Sequence, residues 1–250
     1  MRESLLGGVA TASATRYSES DLTGVPAPVA RYFRAVLHDG QPVVRHAHVR
    51  WTGTFNMGKP GHDRWVTFGA QQDFVPVTRG FVWDARMYML PGVPVLVRDG
   101  FVEGTGSMRG AVLGLVTVVD VGGSQEIAAS ALLRFLGEAV WMPTALLPSQ
   151  GVRWTAIDAE RARATISSGT VTVSAEFVFG PDGLIASMSS TERMFDDGRN
   201  PPSVHPWGGN YRRYERREGM LIPQEAEVAW MLPAGRFVYW RGTPGAIEYR

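Results

Sequence analysis

The sequence predicts a mainly β protein: a single curved antiparallel sheet, a half-barrel or open barrel, with two helices packed on or in its concave side. Three observations predict this. Side chains alternate with period two in run after run between Val43 and Tyr249, Gly- and Pro-containing turns separate the runs, and only two segments carry helical spacing. A chain of 250 residues that is 44% hydrophobic can bury one large core. The expected organisation is a mobile arm over residues 1–22, which are Ser/Thr/Ala-rich without a sustained period, followed by one β-rich domain over 23–250.

The first helix is expected near 25–38. Pro26 and Pro28 suit a first turn, and Val29, Tyr32, Phe33, Val36 and Leu37 fall on one face before His38-Asp-Gly40 closes it. From Val43 to Met57 the period becomes two. Val43, Ala47, Val49, Trp51, Phe55 and Met57 share one face, and His46, His48 and Arg50 share the other. The turn Gly58-Lys-Pro-Gly61 leads to a strand over 64–75, and a further hairpin runs from Phe81 through Pro91-Gly92 to Glu103. Met108 to Val119 reads as one more strand. Ser124 can cap a second helix near 125–142, whose apolar stripe includes Ala128, Leu132, Phe135 and Leu136, with Arg134 and Glu138 four apart on its surface. The following stretch to Pro148 is too apolar for a solvated loop and is expected to cover something. Strands return from 152 to 194, a long loop is expected over 195–210, and three strands over 211–249 finish the sheet of about ten strands.

Composition narrows the chemistry. There is no cysteine, so thiolate metal sites, thiol nucleophiles and disulfides are excluded. The 25 basic and 24 acidic residues are interspersed, which argues against a nucleic-acid partner. No run approaches the roughly 18 apolar residues of an integral membrane segment. The apolar patch after Glu3 is shorter than the roughly 7–15 residues of a leader, so a cytoplasmic location is expected. His46 and His48 have a spacing that zinc sites use. A third ligand would have to come from His62, His205, Asp73 or Glu103, and a solvated strand face is the commoner explanation, so no metal is expected. No Gly-x-Ser-x-Gly elbow and no phosphate-binding Gly loop is present, and no cofactor is expected.

The candidate site lies in residues 80–103, where charges interrupt apolar strands. Asp84 and Arg86 share one face, as base and anchor if that face lines a cavity, or as a structural ion pair if it does not. Trp83 and Met87 share the other, so only one pair can face a given cavity. His205 is the best single titrating candidate, with Tyr211 nearby to steady developing charge. Glu225 and Glu227 share a strand face that is more simply a solvent face. Ligand-binding candidates are Trp83, Met87, Glu103, Phe135, Trp141, Trp207 and Trp230, since pockets are mainly apolar and aromatic with a few polar anchors.

Several stretches carry a resemblance: Val25-Pro-Ala-Pro-Val-Ala-Arg-Tyr-Phe33, Gly80-Phe-Val-Trp-Asp-Ala-Arg86, Val97-Arg-Asp99, the run from Leu132 to Pro148, Pro206-Trp-Gly208, Glu227-Val-Ala-Trp230 and Tyr239-Trp-Arg241. Over roughly residues 25–249 the chain resembles a bacterial domain-of-unknown-function family, a resemblance that implies no particular reaction. At the level of fold it is similar to bacterial lipoprotein-carrier-like half-barrels, in which an antiparallel sheet curls around an apolar cavity lidded by helices. The expected function is binding of a hydrophobic small molecule, a lipid or polyketide-like compound, between the sheet and the helical segment. The alternative is a cofactor-independent cyclase or isomerase acting on such a molecule, which needs at least two of its catalytic groups to converge on one spot.

Overall fold

A short helix, α1 (Arg2–Gly7), and a longer one, α2 (Ala27–Val36), precede the sheet in the computed structural model, which describes residues 1–11, 15–90, 93–196 and 201–250. Six strands follow: β1 (Ala47–Asn56), β2 (Trp65–Val75), β3 (Gly80–Leu90), β4 (Val93–Val102), β5 (Thr105–Val112) and β6 (Val116–Gly122). Helix α3 (Gln125–Glu138) and three short 3-10 turns over 139–150 lead into β7 (Arg153–Ala156), β8 (Arg161–Ser168), β9 (Val171–Phe179) and β10 (Ile185–Phe195). The chain ends in three long strands, β11 (Ser203–Arg217), β12 (Met220–Leu232) and β13 (Gly235–Tyr249).

These thirteen strands form one antiparallel sheet in the order β6-β5-β4-β3-β2-β1-β13-β12-β11-β10-β9-β8-β7. The first half of the chain meanders outward from the centre to one edge, and the second half meanders back from the other edge until β13 pairs with β1. The sheet is therefore a curved, unclosed one with α2 and α3 on its concave face. The connection from β6 to β7 joins opposite edges, and α3 is that connection. Its start is fixed by Ser124, whose Oγ accepts a hydrogen bond from the Ile127 amide at 3.2 Å. Helix α3 contacts strands from both halves, β3 to β6 on one side and β9 and β10 on the other.

The core lies between the helices and the sheet. Tyr32, Phe33 and Val36 of α2 and Leu132, Phe135 and Leu136 of α3 are buried against Phe74, Phe81, Phe101 and Phe177. Leu5, Val75 and Val82 form a small cluster on the opposite face, where α1 packs. In the segment expected to be a mobile arm, Leu5, Tyr17 and Leu22 are all buried, and Arg16 bridges to Pro42. Isolated apolar side chains anchor it without any period that a sequence would reveal.

Three further expectations are corrected. Met108 to Val119 is a hairpin rather than one strand, turning through residues 113–115, where Leu113 and Gly114 take φ values of 52° and 73°. Leucine is unusual at positive φ, which hid the turn. The long loop expected over 195–210 is mostly strand, since β11 begins at Ser203. Pro206 is accommodated because it lies beside a register shift in the β10–β11 ladder, where no regular amide bond is required of it. The α3 helix ends at Glu138, four residues short of the expected 142. The Pro91-Gly92 turn and residues 197–200 of the expected loop lie outside the described residues.

Candidate functional site

Between the helix-covered face of the sheet and α3 lies a cavity of about 470 Å³. Alternation along the strands builds its apolar wall. Trp83, Met87 and Met89 project from β3, Val95 and Val97 from β4, and Met108 and Val112 from β5. Residues Val118 and Val119 of the edge strand β6 complete that side, and Phe55, Val228 and Trp240 supply the other. Trp141, from the apolar segment after α3, closes the floor, its indole N–H donating to the Pro223 carbonyl at 2.8 Å. The whole segment is packed inward: Val140, Met142, Leu146 and Leu147 are fully buried.

Two polar groupings interrupt this wall. In the first, Arg134 donates to Asp99 at 2.5 Å and to Glu138 at 2.8 Å, and Gln72 donates to the second oxygen of Glu138 at 2.7 Å. Arg134 also lies over the rings of Phe81 and Trp83, at 4.9 and 5.1 Å. Burial by itself would disfavour its charge, but the carboxylates of Glu138 and Asp99 outweigh burial and hold the guanidinium above its ordinary range. Burial pushes the Glu138 carboxyl up, against the pull of Arg134. The Arg134–Glu138 pair expected on the helix surface therefore faces inward, with side chains only 16% and 17% exposed.

The second grouping surrounds Arg193 of β10. Its guanidinium lies 4.0 Å from the Trp207 ring and 5.4 Å from the Trp230 ring. Tyr239 hydrogen-bonds to it, and the same phenol oxygen accepts the Trp207 indole N–H at 3.0 Å. Nε and Nη1 of Arg193 are shut off from solvent and have no hydrogen-bond partner among the described residues. Burial pushes this guanidinium's pKa down, with the hydroxyl of Tyr239 opposing the shift. Arg193 drew no attention in the sequence because a bulge between Ser190 and Arg193 shifts the strand's period by one and turns this residue inward.

The expected site residues divide by face. Trp83, Met87, Trp141, Trp207 and Tyr211 line the cavity, and Trp230 stands behind Arg193. Phe135 is buried in the core beside it and does not line it. Glu103 is in the turn between β4 and β5 at φ 52°, away from the cavity. Asp84 and Arg86 lie on the opposite face, where Arg98 donates to Asp84 at 2.6 and 3.1 Å. His205 packs edge-on against Phe195 and meets the Ser203 hydroxyl at 3.0 Å, outside the cavity lining. The Tyr211 hydroxyl donates to the Gly137 carbonyl at 2.8 Å, and burial raises its pKa, so its proton is committed to holding α3. The four groups considered for catalysis thus do not converge on one spot.

The remaining polar candidates are engaged in ion pairs. His46 and His48 both lie 2.9 Å from one oxygen of Asp73, and Arg2 of α1 meets the other at 2.6 Å. Among the described residues no group of three or more His, Cys, Asp or Glu is placed to hold a metal. Glu225 pairs with Arg213, and Glu227 sits among Arg236, Arg212 and Arg241. No helix among the described residues is long and apolar enough to cross a membrane.

Fold and site together define an open antiparallel half-barrel holding a helix-lidded apolar chamber. The chain belongs to the family of unknown function DUF6544, which it matches over residues 15–242. No curated protein matches the sequence. Among solved structures it is similar to a LolA-superfamily protein from Nitrosomonas europaea, with 10% identity and a TM-score of 0.44 over 90% of this chain and 92% of that one. It is also similar to a candidate outer membrane lipoprotein-sorting protein domain from Vibrio parahaemolyticus, with 7% identity and a TM-score of 0.44 over 93% and 92% of the two chains. A β-barrel-like protein of another domain of unknown function, from Brucella abortus, aligns at 9% identity and a TM-score of 0.26 over 83% of this chain and 99% of that one.

Proposed function

We propose that this protein binds a hydrophobic small molecule, of lipid or polyketide-like character, in the chamber between the sheet and α3. The observation that carries the reading is the cavity itself: about 470 Å³, walled by Met, Val and Trp side chains. That volume lies within the roughly 300–1,000 Å³ typical of small-molecule sites. Its polar groups are few and grouped, as anchors are, rather than scattered. Binding is favoured over catalysis because Asp84 and Arg86 face away, His205 lies outside the lining, and the Tyr211 proton is already engaged.

A cavity-filling variant tests this. Gly110 lines the chamber, and a Cβ there would meet only Val118, Val119 and Val97 at 3.6–3.8 Å, ordinary contact distances. Gly110→Phe should project a ring into the chamber. Titration with the neutral fluorophore N-phenyl-1-naphthylamine should give saturable binding to the native protein and at least tenfold weaker binding to Gly110→Phe. Native mass spectrometry of protein from its own host should show an apolar adduct that the variant lacks. Equal fluorophore binding by both proteins would sink the assignment to this chamber.

A further inference from the structure

The chamber adjoins two polar groupings, one whose charged groups pair with one another and one whose cation is only partly paired. Asp99, Arg134 and Glu138 are joined to one another and to the Gln72 amide nitrogen by three hydrogen bonds of 2.5–2.8 Å, while Gln72 Oε1 has no partner among the described residues. Arg193 does not share in this. Its guanidinium lies beside the Trp207 and Trp230 rings, and its Nε and Nη1 hydrogens have no acceptor among the described residues. Tyr239 adds to the imbalance. Its oxygen accepts from the Trp207 indole and from Arg193, so its own hydrogen remains to donate. Both side chains line the chamber.

A buried guanidinium with two of its nitrogens lacking acceptors is unfavourable, so folded proteins seldom retain one without a purpose. The packing that creates it is elaborate. A bulge is needed to turn Arg193 inward, where its guanidinium carbon lies 4.0 and 5.4 Å from two indole rings. A guanidinium that lines a chamber beside a phenol O–H offers donors to a planar oxyanion, one from each side chain.

We infer that the chamber's ligand is an acidic amphiphile, an apolar body ending in a single carboxylate that lies against Arg193 and Tyr239. This rests on the proposed binding function and names the ligand class for the same chamber. A monoanion fits better than a dianion. Asp99 and Glu138 already offset the two guanidiniums of the lining, Arg134 and Arg193, so a second charge on the headgroup would meet no further cation there.

The test is competition against N-phenyl-1-naphthylamine by dodecanoate, by its neutral counterpart dodecanol, and by dodecyl phosphate. A charge-assisted pair of hydrogen bonds predicts that dodecanoate displaces the fluorophore at concentrations about 10- to 100-fold lower than dodecanol. Dodecyl phosphate should be no better than dodecanoate. Arg193→Met, which keeps the length of the side chain, should erase the preference and leave dodecanol unchanged. Tyr239→Phe should reduce the preference in protein whose Arg193 is intact, so the result does not depend on one variant folding. Equal displacement by acid and alcohol, or a preference that survives Arg193→Met, would overturn the headgroup assignment while the chamber still binds apolar molecules. Tighter binding of the phosphate would overturn the carboxylate. Failure of the fluorophore and both chains to bind the native protein would overturn the binding function itself, and this inference with it.

Discussion

Arg134→Met removes the cation from the paired polar grouping and leaves Asp99 and Glu138 in place. Met retains most of the stem packed on Phe81 and Trp83, so the loss reported is chiefly electrostatic. The three side chains are only 14–17% exposed, which places the grouping in the regime of buried pairs rather than surface ones. Removing one partner of a buried pair costs about 3–5 kcal/mol, because the remaining charge is left without compensation. For a chain of this size that corresponds to a fall in Tm of about 6–20 °C, at roughly 2–4 °C per kcal/mol. The loss should depend on pH. Burial already raises the Glu138 carboxyl above its unfolded value, and without Arg134 it should rise further. A carboxyl raised in the folded state favours the protonated fold, so its penalty is absent below the unfolded pKa and grows as pH rises toward the folded one. Urea unfolding followed by Trp fluorescence should therefore show a smaller loss at pH 5.5 than at pH 8. The triple variant Arg134→Met, Asp99→Asn, Glu138→Gln should recover most of it, since neutral replacements of buried ions are often tolerated. A loss below about 1 kcal/mol at pH 8, or one equal at both pH values, would refute the view that this grouping is a buried charge network.

Two smaller perturbations bear on the opposite face. Asp84→Asn breaks a pair with Arg98 whose side chains are 33% and 54% exposed, so stability should change by less than about 1 kcal/mol and fluorophore binding not at all; a tenfold loss of binding would put Asp84 back at the site. Burial tends to raise the Asp73 carboxyl, but hydrogen bonds from His46 and His48, with Arg2 nearby, hold it below its ordinary value. Its stabilisation is present above the unfolded carboxylate range and lost as pH falls through the lower folded value. Asp73→Asn should thus cost about 1–3 kcal/mol at pH 6 and progressively less as pH falls below the unfolded carboxylate range, measured by denaturant titration across that range.

How much of this was legible depended on whether the strand period stayed unbroken. Along β3 it did: Phe81, Trp83, Ala85 and Met87 are buried and Arg86 is exposed, so the sequence correctly made the two faces exclusive. Choosing between the faces required the partner strand. The β3–β4 register sets Asp84 opposite Arg98, which satisfies Asp84 on the outer face, and Trp83 opposite Asp99, which points Asp99 inward to meet α3. Along β10 the period broke. Met188 and Ser190 face inward, the bulge intervenes, and Arg193 takes the inward position that a regular strand would have given to Glu192. Helix α3 hid its polar grouping for another reason. An i, i+4 Arg–Glu pair ordinarily marks a solvated face, and only a helix that crosses an open sheet from edge to edge has no such face to spare there.

The two polar groupings differ in what they ask of a ligand, and that difference separates stability from recognition. Arg134 donates to Glu138 and Asp99, and Tyr211 to the Gly137 carbonyl, so their work is done before any ligand arrives. They fix α3 over the sheet, since Arg134 reaches β4 and Tyr211 reaches the Gly137 carbonyl at the helix's end. Arg193 and Tyr239 belong to strands on the far side of the chamber and have donors left over. A single cavity with a satisfied wall and an unsatisfied wall orients its occupant: the apolar body lies against β3, β4 and β5, and the acceptor toward β10 and β13. Changes to Arg134 should then move unfolding far more than ligand preference, while changes to Arg193 should move preference and, by relieving an unpaired buried cation, leave the fold as stable as before or more so.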